Sequence, residues 1–143
     1  MNIVFLCVEN SNRSQMAEAF GHLYAPPGMN VYSGGSRPSG KVNPKAIEAM
    51  QELDYDMSGH TSKGLDALPA EFDYAVTMGC GDECPNLRAK HRIDWQIPDP
   101  KHLTPQEYRE VRNLIGRLVE ALVEEAAAGN AGENKAASDS AVN

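Results

Sequence analysis

Short apolar runs alternate with stretches of helical period along most of the chain, and few folds satisfy that pattern. Asn2 to Leu6 is an apolar run that stops at Cys7 and reads as a buried strand. Ser14 to Tyr24 carries Met16, Ala19, Phe20 and Leu23 at helical spacing and ends before Pro26-Pro27-Gly28. Asn30 to Ser33 reads as a second strand, closed by Gly34-Gly35. Asn43-Pro44 pairs an N-cap residue with proline at the first helical position, and Ala46, Ile47, Met50 and Leu53 follow it. Ser62 to Leu68 fits a brief helix, Phe72 to Thr77 a third strand, and Arg92 to Trp95 a short fourth. Thr104-Pro105-Gln106-Glu107 has the capping-box pattern before an amphipathic helix marked by Tyr108, Val111, Leu114, Ile115, Leu118, Ala121 and Leu122. Such alternation predicts a single α/β domain, a parallel sheet with helices on both faces. Residues 126–143 are Ala, Gly, Asn and Ser with scattered charge and only Val142 as a large apolar side chain. That stretch predicts a disordered tail, leaving residues 1–125 as the domain.

Charge and cysteine usage narrow the function. A net charge of −7 over 143 residues argues against a general nucleic-acid binder or a polybasic membrane-surface protein. No run of about 18 apolar residues exists, so no membrane span is expected. Met-Asn-Ile-Val-Phe-Leu lacks a basic lead-in and does not read as a secretory signal, so a cytoplasmic location is expected. Three cysteines are an odd number and too few for a disulfide scaffold. In such a chain they are expected to be reactive, metal-binding or buried.

The most informative segment is Cys7-Val8-Glu9-Asn10-Ser11-Asn12-Arg13-Ser14. In an α/β sheet, ligands bind at the carboxyl ends of strands. A loop from strand to helix turns backbone N–H groups inward and adds the positive helix end, which makes an anion cradle. The same donors favour the thiolate of a cysteine placed there. Arg13 adds a planar fork suited to a tetrahedral oxyanion, and Ser14 offers a hydroxyl to the sulfur. The segment therefore predicts a nucleophilic thiolate inside an oxyanion-binding loop of Val8, Glu9, Asn10, Ser11, Asn12, Arg13 and Ser14. Glu9 would repel an anion if it pointed inward, so it is expected to face solvent.

Cys7 to Glu18 resembles the signature of the low-molecular-weight tyrosine phosphatase superfamily and, more narrowly, of the thioredoxin-coupled arsenate reductases on that fold. The resemblance continues through Val31 to Gly35, Val42 to Ile47, Ser58 to Ser62, Phe72 to Thr77, Cys80, Cys84-Pro85 and Asp99-Pro100. It implies a four-stranded parallel sheet flanked by helices and an enzyme without a bound cofactor. It also implies roles. Cys7 attacks arsenate while Asp99, of the Asp-Pro pair, protonates the departing oxygen. Cys80 and then Cys84 resolve the adduct as a thiol–disulfide relay, and thioredoxin reduces the last disulfide. Phosphate and sulfate are the expected competing anions, and a monomer is the expected state.

Two departures from the family matter. Lys101 and His102 follow Asp99-Pro100 where tyrosine phosphatases carry aromatic residues, which suits a small inorganic oxyanion. Only three residues separate Cys80 from Cys84, fewer than in the best-known reductases. That spacing leaves open the order of attack and the reductant, with glutaredoxin plus a low-molecular-weight thiol as the second choice. From the residues alone the pair could also be half of a zinc site with His91, though no fourth ligand is evident and no metal is expected. Some relatives bind potassium beside the anion loop. The resemblance maps three of its ligands to Asn10, Glu18 and Ser33, while the fourth position, an aspartate, falls near Lys63. Either the Lys63 ammonium supplies the charge, so that potassium is not required, or Lys63 is solvated and Asn10 holds the loop by hydrogen bonds. Two further functions stay open: a phosphatase acting on phosphotyrosine or a small phosphate ester, and a non-catalytic thiol switch that uses Cys80 and Cys84.

Overall fold

The computed structural model describes residues 1–79 and 87–136, with side chains through Gly129. Strands β1 (Asn2–Cys7), β2 (Asn30–Gly35), β3 (Glu71–Thr77) and β4 (Arg88–Asp94) form one four-stranded parallel sheet in the order β2-β1-β3-β4. Helices α1 (Arg13–Tyr24), α2 (Pro44–Gln51) and α3 (Pro105–Ala136) complete the domain. Alternation along β1 divides the core. Ile3 and Phe5 pack with Met16 and Phe20 of α1, Met50 of α2, and Ile115 and Val119 of α3. Val4 and Leu6 point to the opposite face, where Phe72, Ala75, Leu65 and Leu68 cover them. Among the described residues the flanking is thus unequal: the three α-helices pack on one face, and a 3-10 turn, Leu65–Ala67, contributes to the other.

The capping expectations match the local geometry. Asn43 Oδ1 accepts from the backbone N–H of Lys45 at 2.9 Å, and Pro44 stands where no N–H is needed. Glu107 N donates to Thr104 Oγ1, and Thr104 N donates to Glu107 Oε1, which closes the capping box.

Three boundaries differ from the sequence expectation. Strand β4 begins at Arg88 rather than Arg92. It pairs only with β3, at the sheet edge, and exposes Arg88, Lys90, His91, Arg92 and Asp94, so backbone pairing holds it without an apolar signal. The segment at Ser62 to Leu68 shortens to the 3-10 turn. Helix α3 runs to Ala136, eleven residues beyond position 125, and Ala126 is fully buried in the core. Alanine is the best helix former, so an Ala-rich stretch continues a helix that is already anchored. The described helix thus continues past the boundary expected at 125, and residues 137–143 lie outside the described part.

All four strands end on one side of the sheet, at Cys7, Gly35, Thr77 and Asp94. The chain leaves β1 for β2 on one side and reaches β3 on the other, so a crevice opens beyond β1, where such sheets bind ligands. Gly35 sits at that edge because the loop after β1 passes against it. A Cβ there would lie 2.4 Å from Val8 O and 3.0 Å from Asn10 N. At Gly34 a Cβ would meet only the flexible end of Leu68, at 2.8 Å. Gly35→Ala is expected to lower stability by about 1–3 kcal/mol, and Gly34→Ala by less, because backbone cannot yield as a leucine tip can. Urea denaturation of the two variants would reverse this assignment if Gly34→Ala were the more damaging.

Candidate active site

Cys7, 5% exposed, ends β1, and the chain turns at once into the N-terminus of α1. Asn10 makes the turn with φ +52°, a left-handed conformation that asparagine tolerates better than most residues. The turn aims Asn10 N at Cys7 Sγ, 3.3 Å away. Ser14 Oγ lies 2.7 Å from the same sulfur and accepts from Asn10 Nδ2 at 2.8 Å. Either atom of the Ser14–Cys7 pair can donate, and the hydroxyl keeps one proton available to the sulfur.

The helix end is left open for an anion. Asn12 occupies the N-cap position but makes no side-chain cap bond. Its Oδ1 instead accepts from Tyr108 Oη of α3 at 2.7 Å. The first N–H groups of α1 are therefore not capped by the side chain that would normally take one. They border an open cavity of about 430 Å³ whose wall includes Cys7, Val8, Glu9, Ser11, Asn12 and Arg13. Asn10 and Ser14, also expected in the anion loop, are fully buried and support it from behind.

Arg13 is fixed by two carbonyls: Nη1 donates to Met78 O at 2.6 Å and to Ile97 O at 2.8 Å. These take two of its five N–H donors and tie β3 and the Ile97 loop to the anion loop. The opposite wall is Gly79, Ile97, Asp99 and Lys101. Asp99 has two tasks compatible with one another. Its Oδ1 accepts from Lys101 N at 3.0 Å, capping the 3-10 turn Pro100–His102, and the residue lines the same cavity as Cys7. Arg37 also lines it, which sequence reading missed because no motif surrounds it. It arrives by backbone: Arg37 N donates to Val8 O at 2.8 Å, and Ser39 N to Glu9 O at 3.0 Å. Glu9 is exposed, as expected, at the cavity mouth. Cys80 and Cys84 lie outside the described residues. Gly79, the neighbour of Cys80, is in the cavity wall, with φ +80°.

Behind the loop lies a second polar layer. Lys63 Nζ donates to Thr61 O at 2.9 Å and to Ser33 Oγ and Glu18 Oε1, each at 3.3 Å. Ser33 Oγ donates to Glu18 Oε1 at 2.5 Å and accepts from Asn10 Nδ2 at 3.0 Å. Glu18 and Ser33 thus meet the Lys63 ammonium, while Asn10 Oδ1 accepts from the Lys63 backbone N–H at 2.9 Å. Gln15, fully buried, donates from Nε2 to Asn10 Oδ1 at 2.9 Å and to Thr61 O at 2.9 Å. No sequence pattern announced Gln15, because its partners, Asn10 on one side and His60 and Thr61 on the other, come from two separate segments.

Burial alone would raise the Glu18 carboxyl pKa. Hydrogen bonds from His22 and Ser33, with the charges of Lys63 and His60, override it and hold the group down to about 2. A carboxylate depressed from 4.5 contributes stability that is present above pH 4.5 and lost as pH falls through 2. The shift corresponds to about 3 kcal/mol. Glu18→Gln is expected to be less stable than the parent chain near neutrality, with the gap shrinking steadily between pH 4.5 and 2. Chemical denaturation at several pH values measures this, and a gap independent of pH would count against it.

Residues 2–131 match the low molecular weight phosphotyrosine protein phosphatase family. An arsenate reductase of Staphylococcus aureus (strain N315) is 42% identical over 126 residues, covering 82% of this chain and 92% of that one. A solved structure of an arsenate reductase in the phosphate-binding state superposes with a TM-score of 0.77 at 34% identity, covering 87% of this chain and 97% of that one. The Corynebacterium glutamicum thioredoxin-dependent arsenate reductase superposes with a TM-score of 0.66 at 32% identity, covering 87% of this chain and 62% of that one. With the fold, the Cys7 loop and the matched span in agreement, the chain belongs to the low molecular weight phosphotyrosine protein phosphatase family.

Proposed function

We propose that this protein reduces arsenate to arsenite by a relay of three cysteines, Cys7, Cys80 and Cys84, with electrons from thioredoxin or another thiol system. The observation that carries the reading is the convergence of Cys7, Arg13 and Asp99 on one cavity whose wall also includes Gly79, the residue before Cys80 in the sequence.

The chemistry balances in two-electron steps. The Cys7 thiolate attacks arsenic while Arg13 and the loop amides hold the oxyanion. Asp99 gives a proton to the departing oxygen, which leaves as water. The Cys80 thiolate then attacks Cys7 Sγ. The sulfur–arsenic bond breaks with its pair on arsenic, arsenite departs, and a Cys7–Cys80 disulfide remains. Cys84 attacks Cys80, which frees the Cys7 thiolate and leaves a Cys80–Cys84 disulfide. An external dithiol reduces that bond by exchange and is itself oxidised. No bound cofactor is needed, because the electrons come from thiols. Thioredoxin is the preferred donor, and the relatedness to a thioredoxin-dependent enzyme supports it.

A phosphatase would use the same cradle without Cys80 and Cys84. Lys101, which lines the cavity just after Asp99-Pro100, favours a compact anion over an aromatic ring. A thiol switch would need neither a pinned Arg13 nor Asp99 in the cavity of Cys7.

A coupled assay of arsenate-dependent NADPH oxidation, with thioredoxin and its reductase, separates these readings. Cys7→Ser is expected to abolish turnover. Cys84→Ser should retain one turnover per chain and lose the rest. Full activity in both Cys80→Ser and Cys84→Ser would refute the relay, and hydrolysis of a phosphate ester with no arsenate reduction would make the protein a phosphatase.

The Lys63 ammonium among Glu18, Ser33 and Thr61 also supports catalysis that does not require potassium. Exchanging potassium for sodium at fixed ionic strength is expected to leave the rate unchanged within about twofold. A rate that collapses in sodium sinks this part of the reading.

A further inference from the structure

Glu18 uses its two oxygens differently. Oε1 is taken by Ser33 and Lys63. Oε2 faces two imidazoles: His22 Nε2 at 3.1 Å, one turn along α1, and His60 Nδ1 at 3.5 Å, from the segment after α2. The ligand atoms of these three residues lie within 4.8 Å of one another. Tetrahedral zinc with N and O ligands has bonds of about 2.0–2.1 Å, so its ligand atoms stand about 3.3 Å apart. The two distances to Glu18 Oε2 bracket that edge, and the two imidazole nitrogens lie within 4.8 Å of each other, so a small closure of the trio meets the bond lengths.

A second, independent feature converges there. Gln15 is fully buried, and its amide N is fixed on Asn10 and Thr61. Its Oε1 is consequently aimed at His60 Nδ1, 3.0 Å away. The far ring nitrogen, His60 Nε2, lies 2.8 Å from Tyr55 Oη. If His60 takes the Nε2–H tautomer, it donates to Tyr55 and leaves the Nδ1 lone pair among the oxygens of Glu18 and Gln15. An ion at the centre removes that repulsion, and the Tyr55 contact then fixes the ring, as outer partners of metal-bound histidines do.

We propose that Glu18 Oε2, His22 Nε2 and His60 Nδ1 form a binding site for a divalent transition ion of the zinc class. Two imidazoles and one carboxylate favour zinc, nickel or copper over magnesium or calcium, which prefer oxygen. Three protein ligands leave a position for water, as in open rather than closed sites. The exposed His22 edge gives the ion its entry. The site is distinct from the Cys7 cavity and does not depend on what that cavity does.

The three cysteines are the obvious competing ligands, so the test removes them. The full chain carrying Cys7→Ser, Cys80→Ser and Cys84→Ser is titrated with cobalt(II) as a spectroscopic stand-in, then with zinc as competitor. One equivalent is expected to bind with ligand-field bands and no sulfur charge transfer. His22→Gln in that background should weaken binding by about tenfold or more, since loss of even an outer partner costs 10–100-fold. His22 is exposed, so this substitution should not disturb folding. Imidazole NMR of the wild-type chain with zinc gives a second readout: the His22 and His60 ring nitrogens should shift while those of His91 and His102 stay. The proposal fails if cobalt binding disappears with the cysteines, if His22→Gln leaves affinity unchanged, or if no imidazole resonance moves.

Discussion

Everything at the active end of this molecule depends on the turn that Asn10 makes between β1 and α1. Its positive φ lets one residue present a backbone N–H to Cys7 Sγ and a side-chain amide to Ser14 and Ser33 at the same time. Asn10 Oδ1 then accepts from Lys63 N and from Gln15 Nε2, which ties the loop to a segment more than fifty residues away. Every side-chain polar atom buried among the described residues has a partner, so the network leaves none unpaired. Such a network is rigid because each bond constrains the donors of the next. A nucleophile that must meet a tetrahedral anion gains from that rigidity, since a displaced donor loses most of its effect.

An acidic protein that binds an anion has to arrange charge locally. The net charge is −7, yet Arg13, Arg37 and Lys101 line the same cavity. Two acids, Glu9 and Asp99, also line it. Backbone supplies the remainder: the uncapped first turn of α1 adds partial positive charge without adding a side chain. Tyr108 makes this possible by diverting Asn12. Burial, with Asp99 as a lesser influence, pushes the Tyr108 phenol pKa upward, so it stays a hydrogen-bond donor across the working range of pH.

The order of strands and helices was legible because period and punctuation are local properties. Asn43 with Pro44, and Thr104 with Glu107, carry their capping roles in a few adjacent residues, and the geometry matches. Cys7, Arg13 and Ser14 were legible for the same reason, as one loop between one strand and one helix. Arg37, Gln15 and Tyr108 were not, because each acts across a long separation in sequence. Tyr108 reads as an apolar marker of an amphipathic helix, and only the approach of α3 to α1 shows that its hydroxyl holds Asn12, 96 residues away. Strand β4 hid because an edge strand is selected for polar side chains. The Ala-rich end of α3 hid because its composition suits a disordered tail and a helix equally.

Lys63 shows how a tethered charge differs from a mobile one. A mobile cation must lose hydration and be held, so its occupancy varies with its concentration. A lysine is tethered, and its ordering is largely met by folding itself. Its ammonium offers directed donors rather than a spherical field, which fits the observed set: one backbone carbonyl, one hydroxyl and one carboxylate oxygen. The tether also fixes which Glu18 oxygen is neutralised. Only Oε1 meets the ammonium, so Oε2 keeps its lone pairs for the two histidines. One carboxylate thereby serves the anion loop through Ser33 and Asn10 while presenting a second, separate face to the helix surface.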